Sequence, residues 1–158
     1  MQYQVNKKIS IIQPHFLPYI GYFDLISKSD LFIFLDSVQY DHRSWQQRNK
    51  IKTNLGEEFI TMPVMNKKLS KQKLKDVRIF EKKKNFNKIL NKIHHAYSKA
   101  KFYHHFIDDI KGIFENYDDE FLCNLNILLI KYFMKIFSID TKIAYSSLYD
   151  VKYKRDKL

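Results

Sequence analysis

The chain has 158 residues, the length of one domain with its own core. Hydrophobic residues make up 45% of it and aromatic residues 16%, which excludes a disordered chain. The single cysteine, Cys123, excludes an internal disulfide framework and a cysteine-based zinc site. The formal net charge is +11 at pH 7, so an acidic partner has to be considered.

The first 36 residues show the pattern of a βαβ unit. A short β-prone run covers 8–12, a two-turn helical pattern covers 21–28, and the apolar run LFIFL at 31–35 suits a strand buried on both faces. Consecutive strands joined through a helix are parallel and neighbouring in such a unit. We therefore predict a parallel sheet at the start of the chain.

Helical periodicity dominates the second half. Apolar residues recur at helical spacing over 86–100, 103–114 and 122–136, and the segment 138–145 has the composition of a returning strand. Between the halves, 58–64 reads as a strand, 66–75 as an exposed lysine-rich loop and 76–80 as a short strand. The sequence predicts an α/β fold, with an N-terminal βαβ, Rossmann-like parallel sheet followed by a helical C-terminal half, in one domain over 1–158.

Two segments beyond the ends of the predicted strands carry the candidate binding residues. The loop 13–21 holds two of the three prolines and one of the three glycines, and the polar segment 36–51 holds two of the four arginines and the only tryptophan. Ligands of open α/β sheets bind beyond the carboxyl ends of the strands, where these two segments would meet. The candidates are Gln13, Pro14, Gly21, Tyr22, Gln39, Tyr40, Arg43, Trp45, Arg48 and Asn49.

The side chains of 36–51 suggest roles in a small-molecule site. Arg43 and Arg48 would hold a phosphate or carboxylate, and Trp45 would stack on a ring. Asp36 is the candidate general base, and His15 and His42 are the candidates for proton transfer. The alternative is a structural loop in which the tryptophan fills the core and the arginines pair with acidic neighbours, Asp36 and Asp41.

Other partner and cofactor classes receive less support. The segment 67–101 holds 13 basic and two acidic residues, which fits nucleic-acid binding or an acidic docking partner, but lysines on a solvated helix face explain it more simply. The two His-His pairs cannot close on one ion from neighbouring helix positions, so no metal is predicted. Dinucleotide and P-loop glycine motifs are absent from the sequence, and we expect no bound cofactor. The apolar run 121–137 is interrupted by lysines, so no membrane span and a cytoplasmic location are expected.

Three spaced motifs resemble one known family. The sequence contains Q-P-x-x-x-P-x-x-G-Y-F from Gln13, then D-S-V-Q-Y from Asp36, and then W-x-x-R-N from Trp45. This series, followed by a Pro-Val pair at the end of the next strand, closely resembles the opening of the WbqC-like proteins.

The resemblance implies a bacterial protein encoded among surface-polysaccharide genes such as those for O-antigen. It implies a transferase that moves a glycyl or other acyl group to a nucleotide-linked amino sugar, with a nucleotide sugar or acyl donor as ligand. A non-catalytic binding or scaffold protein of that pathway is the alternative. Members of the family usually exceed 200 residues, so the chain is expected to be either a shortened member or the N-terminal part of a longer one. The sequence leaves the oligomeric state open.

Overall fold

The computed structural model describes residues 7–65 and 72–149, and it contains both strands and helices over these ranges. The strands are β1 (Ile9–Ile12), β2 (Leu31–Phe34), β3 (Arg48–Thr53), β4 (Gly56–Thr61) and β5 (Lys142–Tyr145). The helices are α1 (Ile20–Ser27), α2 (Lys82–Tyr97), α3 (Tyr103–Glu115) and α4 (Leu122–Ile136), with short 3-10 turns at Leu74–Asp76 and Ser146–Leu148.

A three-stranded parallel sheet organises the fold, in the order β1-β2-β5. Ile9 is in register with Leu31, and Leu31 with Lys142, so β2 is central. The predicted βαβ unit is confirmed as β1, α1 and β2, and the predicted strand within 138–145 is confirmed as β5. The protein is therefore a mixed α/β protein with a parallel sheet and four helices over the described residues.

The core lies on one face of this sheet. Phe32 and Phe34 of β2 are fully buried, and their rings contact those of Tyr22 in α1 and Tyr145 in β5. Residues alternate between faces along a strand, so Ile9 and Ile11 of β1 point to the other face, where both are more than half exposed. The core face thus fixes the register of the strands, because a one-residue slip would exchange the two sets.

The middle of the chain differs from the sequence prediction. Residues 48–51, predicted as part of a polar loop, begin β3, which forms an antiparallel hairpin with β4. The sequence of β3 is too polar to show a strand pattern, since only Ile51 of β3 and Ile60 of β4 are buried in the hairpin. The predicted strand 58–64 starts earlier and ends at Thr61, and Gly56 supplies the positive φ of 110° that the tight turn needs.

The prediction of a short strand at 76–80 is wrong. A 3-10 turn covers Leu74–Asp76, and the residues after it form only single bridges, between Ile79 and Val64 and between Arg78 and Phe121. The predicted lysine-rich loop 66–75 and the tail 146–158 fall largely outside the described residues.

The three predicted helices of the second half are confirmed as α2, α3 and α4. Helix α4 has more buried residues than the other helices that the structure describes, in agreement with the strong apolar periodicity of its sequence. Within the ranges that the structure describes, no helix is both long and apolar enough to cross a membrane.

Candidate functional site

The two loops that follow β1 and β2 contact each other at the carboxyl end of the sheet. The backbone N–H of Phe16 donates to the carbonyl of Trp45 at 2.9 Å, and the Asn49 side chain donates to the carbonyls of Phe16 and Leu17. The prediction that the strands are adjacent and parallel is confirmed, and these bonds join the loops beyond them. Asn49, a predicted ligand contact, therefore holds the first loop against β3.

Asn126 of α4 ties both loops to the core. Its side chain is fully buried and donates to the carbonyl of Pro14 at 3.0 Å and to that of Gln46 at 2.7 Å. Sequence reasoning did not identify this residue. Its signal is a polar side chain in the middle of an otherwise apolar helix face, a position that needs a buried partner.

Both loops contain a residue in the left-handed backbone region. Leu17 has a φ of 45° and Arg43 a φ of 61°, conformations that are costly for residues with a β-carbon. Such strain persists where the surrounding contacts fix the backbone, and it is common at ligand sites. The Arg43 side chain is consequently presented from a sharply turned backbone.

A cavity of about 540 Å³ opens beside the second loop. It is lined by a cluster of cationic and polar side chains together with apolar residues of the following segment, namely His42, Arg43, Gln47, Arg48, Thr61, Pro63, Val64 and Phe80. The structure thus brings three predicted site residues, His42, Arg43 and Arg48, into one cavity.

Over the described residues, the two arginines of the cavity have no acidic partner. Among the described residues, no carboxylate lies within ion-pair distance of Arg43 or Arg48, whereas Arg78 pairs with Glu120 at 2.8 Å. The alternative in which Asp36 and Asp41 neutralise these arginines is therefore not what the described residues show. Two unpaired guanidinium groups around a cavity form an anion-binding arrangement.

An aromatic pair supports Arg48 from the side of the hairpin. The guanidinium carbon of Arg48 lies 4.5 Å from the centroid of the Phe59 ring, and the ring of Trp45 lies 6.3 Å from the same ring. Trp45 is 47% exposed, so the alternative in which it fills the core is wrong. Trp45 does not line the cavity, but its exposed ring is available to stack on a ligand that extends to the hairpin.

Buried polar atoms without partners collect around the same loop. Gln47 is 4% exposed and lines the cavity, yet its Oε1 has no hydrogen-bond partner among the described residues. The other such atoms are the hydroxyl of Tyr40, Nε2 of Gln46 and Oδ1 of Asn126. Buried polar atoms are normally paired, so this concentration marks the region as one built for something other than stability.

Asp36 has a different environment from the one expected of a free general base. Its buried carboxylate accepts hydrogen bonds from the hydroxyl of Ser146 at 2.8 Å, from the N–H of Ser147 at 2.8 Å and from the hydroxyl of Ser147 at 2.6 Å. These bonds fasten the end of β2 to the turn after β5. The geometry gives Asp36 a structural role, and its catalytic role stays a prediction.

The predicted residues of the first loop do not line the cavity. Pro14 and Tyr22 are buried, and the Tyr22 hydroxyl donates to the carbonyl of Gln13 at 3.0 Å. Burial, reinforced by the nearby Cys123, raises the pKa of Tyr22. Partial burial lowers the pKa of His15, whose ring lies 5.3 Å from that of Tyr22. His15 is therefore predominantly neutral at neutral pH.

The remaining candidates also lie away from the cavity lining. Tyr40 is buried, and burial together with the charge of Asp41 raises its pKa. A β-carbon on Gly21 would come 2.3 Å from Cε2 of Tyr19, so glycine makes room for that exposed ring. Gln39 is exposed and forms a single bridge with Lys73.

Metal binding has no structural counterpart in the part of the chain described, where no group of three or more His, Cys, Asp or Glu side chains converges.

Most of the lysines described on and near α2 have partners within the protein. Lys82 donates to the carbonyls of Tyr117 and Asp119, and Lys92 bonds to Glu58. These contacts reduce the charge that α2 offers to an external partner.

The fold and the site define a mixed α/β protein with a cationic cavity beyond the end of its parallel sheet. The sequence matches the model of the WbqC-like protein family over residues 13–158. The chain belongs to this family.

A curated relative is found in Mycobacterium tuberculosis (strain ATCC 25618 / H37Rv). The chain is similar to the uncharacterized protein Rv1507c, with 45% identity over 73 residues. The match covers 46% of the chain and 32% of that protein, so the chain spans about a third of the relative's length. No solved structure matches the chain.

Proposed function

We propose that the cavity beside Arg43 and Arg48 binds the phosphate groups of a nucleotide sugar, and that the protein takes part in acyl transfer to the amino group of that sugar during surface-polysaccharide synthesis in the bacterial cytoplasm. The observation that carries the proposal is the pair of unpaired arginines around a cavity of about 540 Å³. Planar guanidinium groups bind phosphate oxygens through two parallel hydrogen bonds.

The surroundings of the arginines suit a ligand with both a charged and a ring-bearing part. Trp45 is exposed at the edge of the hairpin, where a base or sugar ring can stack on it. The cavity is large enough for part of a drug-sized molecule and is open to solvent. The loop that carries His42, Arg43 and Gln47 follows the carboxyl end of the parallel strand β2, and ligands of open α/β sheets bind beyond the carboxyl ends of their strands.

The transfer step assigns a role to His42. The nitrogen of the sugar amine attacks the carbonyl carbon of the acyl donor, forming a C–N bond while the bond to the leaving group breaks. His42 lines the cavity and is exposed, so its imidazole would accept the proton of the amine and pass it to the leaving group. The step as proposed does not require Asp36, whose carboxylate is bonded to Ser146 and Ser147.

A binding or scaffold protein of the same pathway would use the same cavity without turning over the ligand. The unpaired arginines support this alternative equally. Product formation from an acyl donor and an amino-sugar nucleotide distinguishes the two, since only the transferase yields an amide.

The binding step is tested with Arg48→Ala and isothermal titration calorimetry of UDP-glucose. Loss of a charged hydrogen-bond donor is expected to weaken binding about tenfold or more, because such bonds contribute roughly 1.5–3 kcal/mol. Arg78→Ala is the matched control, since Arg78 is exposed and already paired with Glu120. Equal affinity of wild type and R48A, with both folded, would contradict the proposal.

A further inference from the structure

We propose that Gln47 is a specificity-determining residue, whose side-chain oxygen accepts a hydrogen bond from the neutral amine of the sugar while Arg43 and Arg48 hold its phosphates. This inference rests on the proposed function of the cavity. It adds the form in which the amine is bound and the residue that selects it.

Hydrogen bonds hold the backbone of Gln47 in place. Its own carbonyl accepts the N–H of Met62 at 2.7 Å, and its N–H donates to the carbonyl of Ser44 at 3.2 Å. The preceding residue is fixed by Asn126, whose side chain donates to the carbonyl of Gln46. With its backbone anchored, only the side chain of Gln47 can adjust, and the torsion of its terminal amide is broad.

Gln47 lines the cavity, and the oxygen of its amide is the group without a partner. This oxygen is itself fully buried, so rotation of the terminal amide has to turn it towards the cavity when a ligand binds. Gln47 is 4% exposed and its Oε1 has no partner among the described residues, which costs the free protein about 1–3 kcal/mol. A ligand that brings an N–H donor into the cavity removes this cost. A ligand without a donor leaves the oxygen buried and unpaired, so the site discriminates against it.

The charges around the cavity favour an uncharged amine over an ammonium group. Arg43 and Arg48 line the cavity, so a positive charge placed beside them is repelled. No carboxylate lines the cavity among the described residues.

The carboxylates of the neighbouring hairpin do not alter this balance. Glu57 pairs with Lys50 at 2.5 Å, and Glu58 pairs with Lys92. On the loop itself Asp41 is exposed and is not part of the lining. The neutral acceptor Gln47 thus replaces the anion that would stabilise an ammonium group.

Binding the amine in its neutral form has a chemical consequence. Only an amine with a free lone pair can attack a carbonyl carbon, so the cavity would bind its acceptor ready to react. It also has a measurable consequence. An amine that is protonated in solution must release its proton when it binds.

The test compares UDP-glucosamine with UDP-glucose on the full chain, by calorimetry in buffers of different ionisation enthalpy at about pH 6.5. Sugar amines are protonated there if their pKa resembles that of an α-amino group, roughly 7.7–8. The two ligands share the diphosphate, so any proton exchange by His42 cancels in the difference. We expect UDP-glucosamine to release close to one proton more than UDP-glucose.

The variant Gln47→Glu keeps the size of the side chain and supplies a carboxylate that stabilises the ammonium form. It is expected to abolish the extra proton release. Asn87→Asp, with the same change of charge on an exposed face of α2, should preserve it.

Two results would overturn the inference. Binding of both ligands to the wild type with the same number of protons released would show that the amine is not bound neutral, while the phosphate site would stand. Failure of both ligands to bind the wild type would remove the proposed function itself, and this inference with it. The comparison of the two ligands needs no variant, so poor folding of Q47E would not affect it.

Discussion

The guanidinium carbon of Arg48 lies 4.5 Å from the centroid of the Phe59 ring, on the same face of the β3–β4 hairpin. Arg48 is opposite Thr61 and Lys50 is opposite Phe59, so the contact runs diagonally across the two strands. A guanidinium stacked on an aromatic ring keeps its N–H groups at the rim available for an anion. Phe59 therefore acts as a support that orients Arg48.

Replacement of Phe59 by leucine removes the aromatic face and keeps an apolar side chain. We expect the affinity for UDP-glucose to fall about two- to fivefold, since an exposed cation–π contact contributes roughly 0.5–1 kcal/mol. The measurement is a double-mutant cycle with R48A by calorimetry. If Phe59 acts through Arg48, F59L adds no further loss in the R48A background, whereas two independent losses would contradict the relationship.

Asp36→Asn should destabilise the protein. The substitution replaces an acceptor of three hydrogen bonds at the junction of β2 and β5 by an amide that cannot accept on both sides. Because hydrogen bonds to a charged group contribute more than neutral ones, a loss of about 1.5–3 kcal/mol in the free energy of unfolding is expected. Urea denaturation measures it.

Asp41→Asn serves as the control for Asp36, since Asp41 is exposed and close in sequence. It should change the free energy of unfolding little. A D36N protein that is as stable as wild type but no longer forms the amide product would instead favour the predicted catalytic role of Asp36.

Asn126→Leu should weaken the contact between the two loops. The variant leaves the carbonyls of Pro14 and Gln46 buried without their donor, and each unpaired group costs about 1–3 kcal/mol. We expect both a lower free energy of unfolding in urea and weaker binding of UDP-glucose, because Gln46 precedes the cavity residue Gln47. Asn91→Leu, at an exposed position of α2, is the control, and an equal effect there would argue against a specific role.

The parts of the fold that were predictable are those with strong periodicity. The apolar run of β2 and the helical stripe of α4 each have one stable solution, which is burial in the hydrophobic core. Arg43 and Arg48 were also recognisable, because arginine is rare in this lysine-rich chain. Strand β3 was not, since its polar residues gain a strand conformation only by pairing with β4.

The partners of the site residues could not be predicted because they come from distant parts of the chain. Asp36 binds a turn 110 residues away, and Asn126 reaches Pro14 across 112 residues. Sequence spacing carries no information on such contacts. Asp36 consequently resembled a free carboxylate at a strand end.

The start of α4 offers a test at acidic pH. Partial burial alone would raise the pKa of Asp119, but the side chain of Asn124 and the N–H groups of Phe121 and Glu120 donate to its carboxylate. With the nearby charge of Lys82 they hold its pKa below the usual range. A carboxyl with a lowered pKa stabilises the fold above its ordinary pKa, and this contribution is lost as the pH falls through the lowered value.

Asp119→Asn should therefore reduce the free energy of unfolding at neutral pH by about 1 kcal/mol, the order of the net contribution of hydrogen bonds to a carboxylate that is partly screened by solvent. The difference from wild type should begin to shrink below about pH 4, the ordinary pKa of an aspartate, and should disappear once the pH is below the lowered pKa of Asp119 in the folded protein. Urea denaturation across this pH range measures it, with the exposed neighbour Asp118→Asn as control. A difference that stays constant down to the most acidic pH would mean that the charge of Asp119 does not stabilise α4.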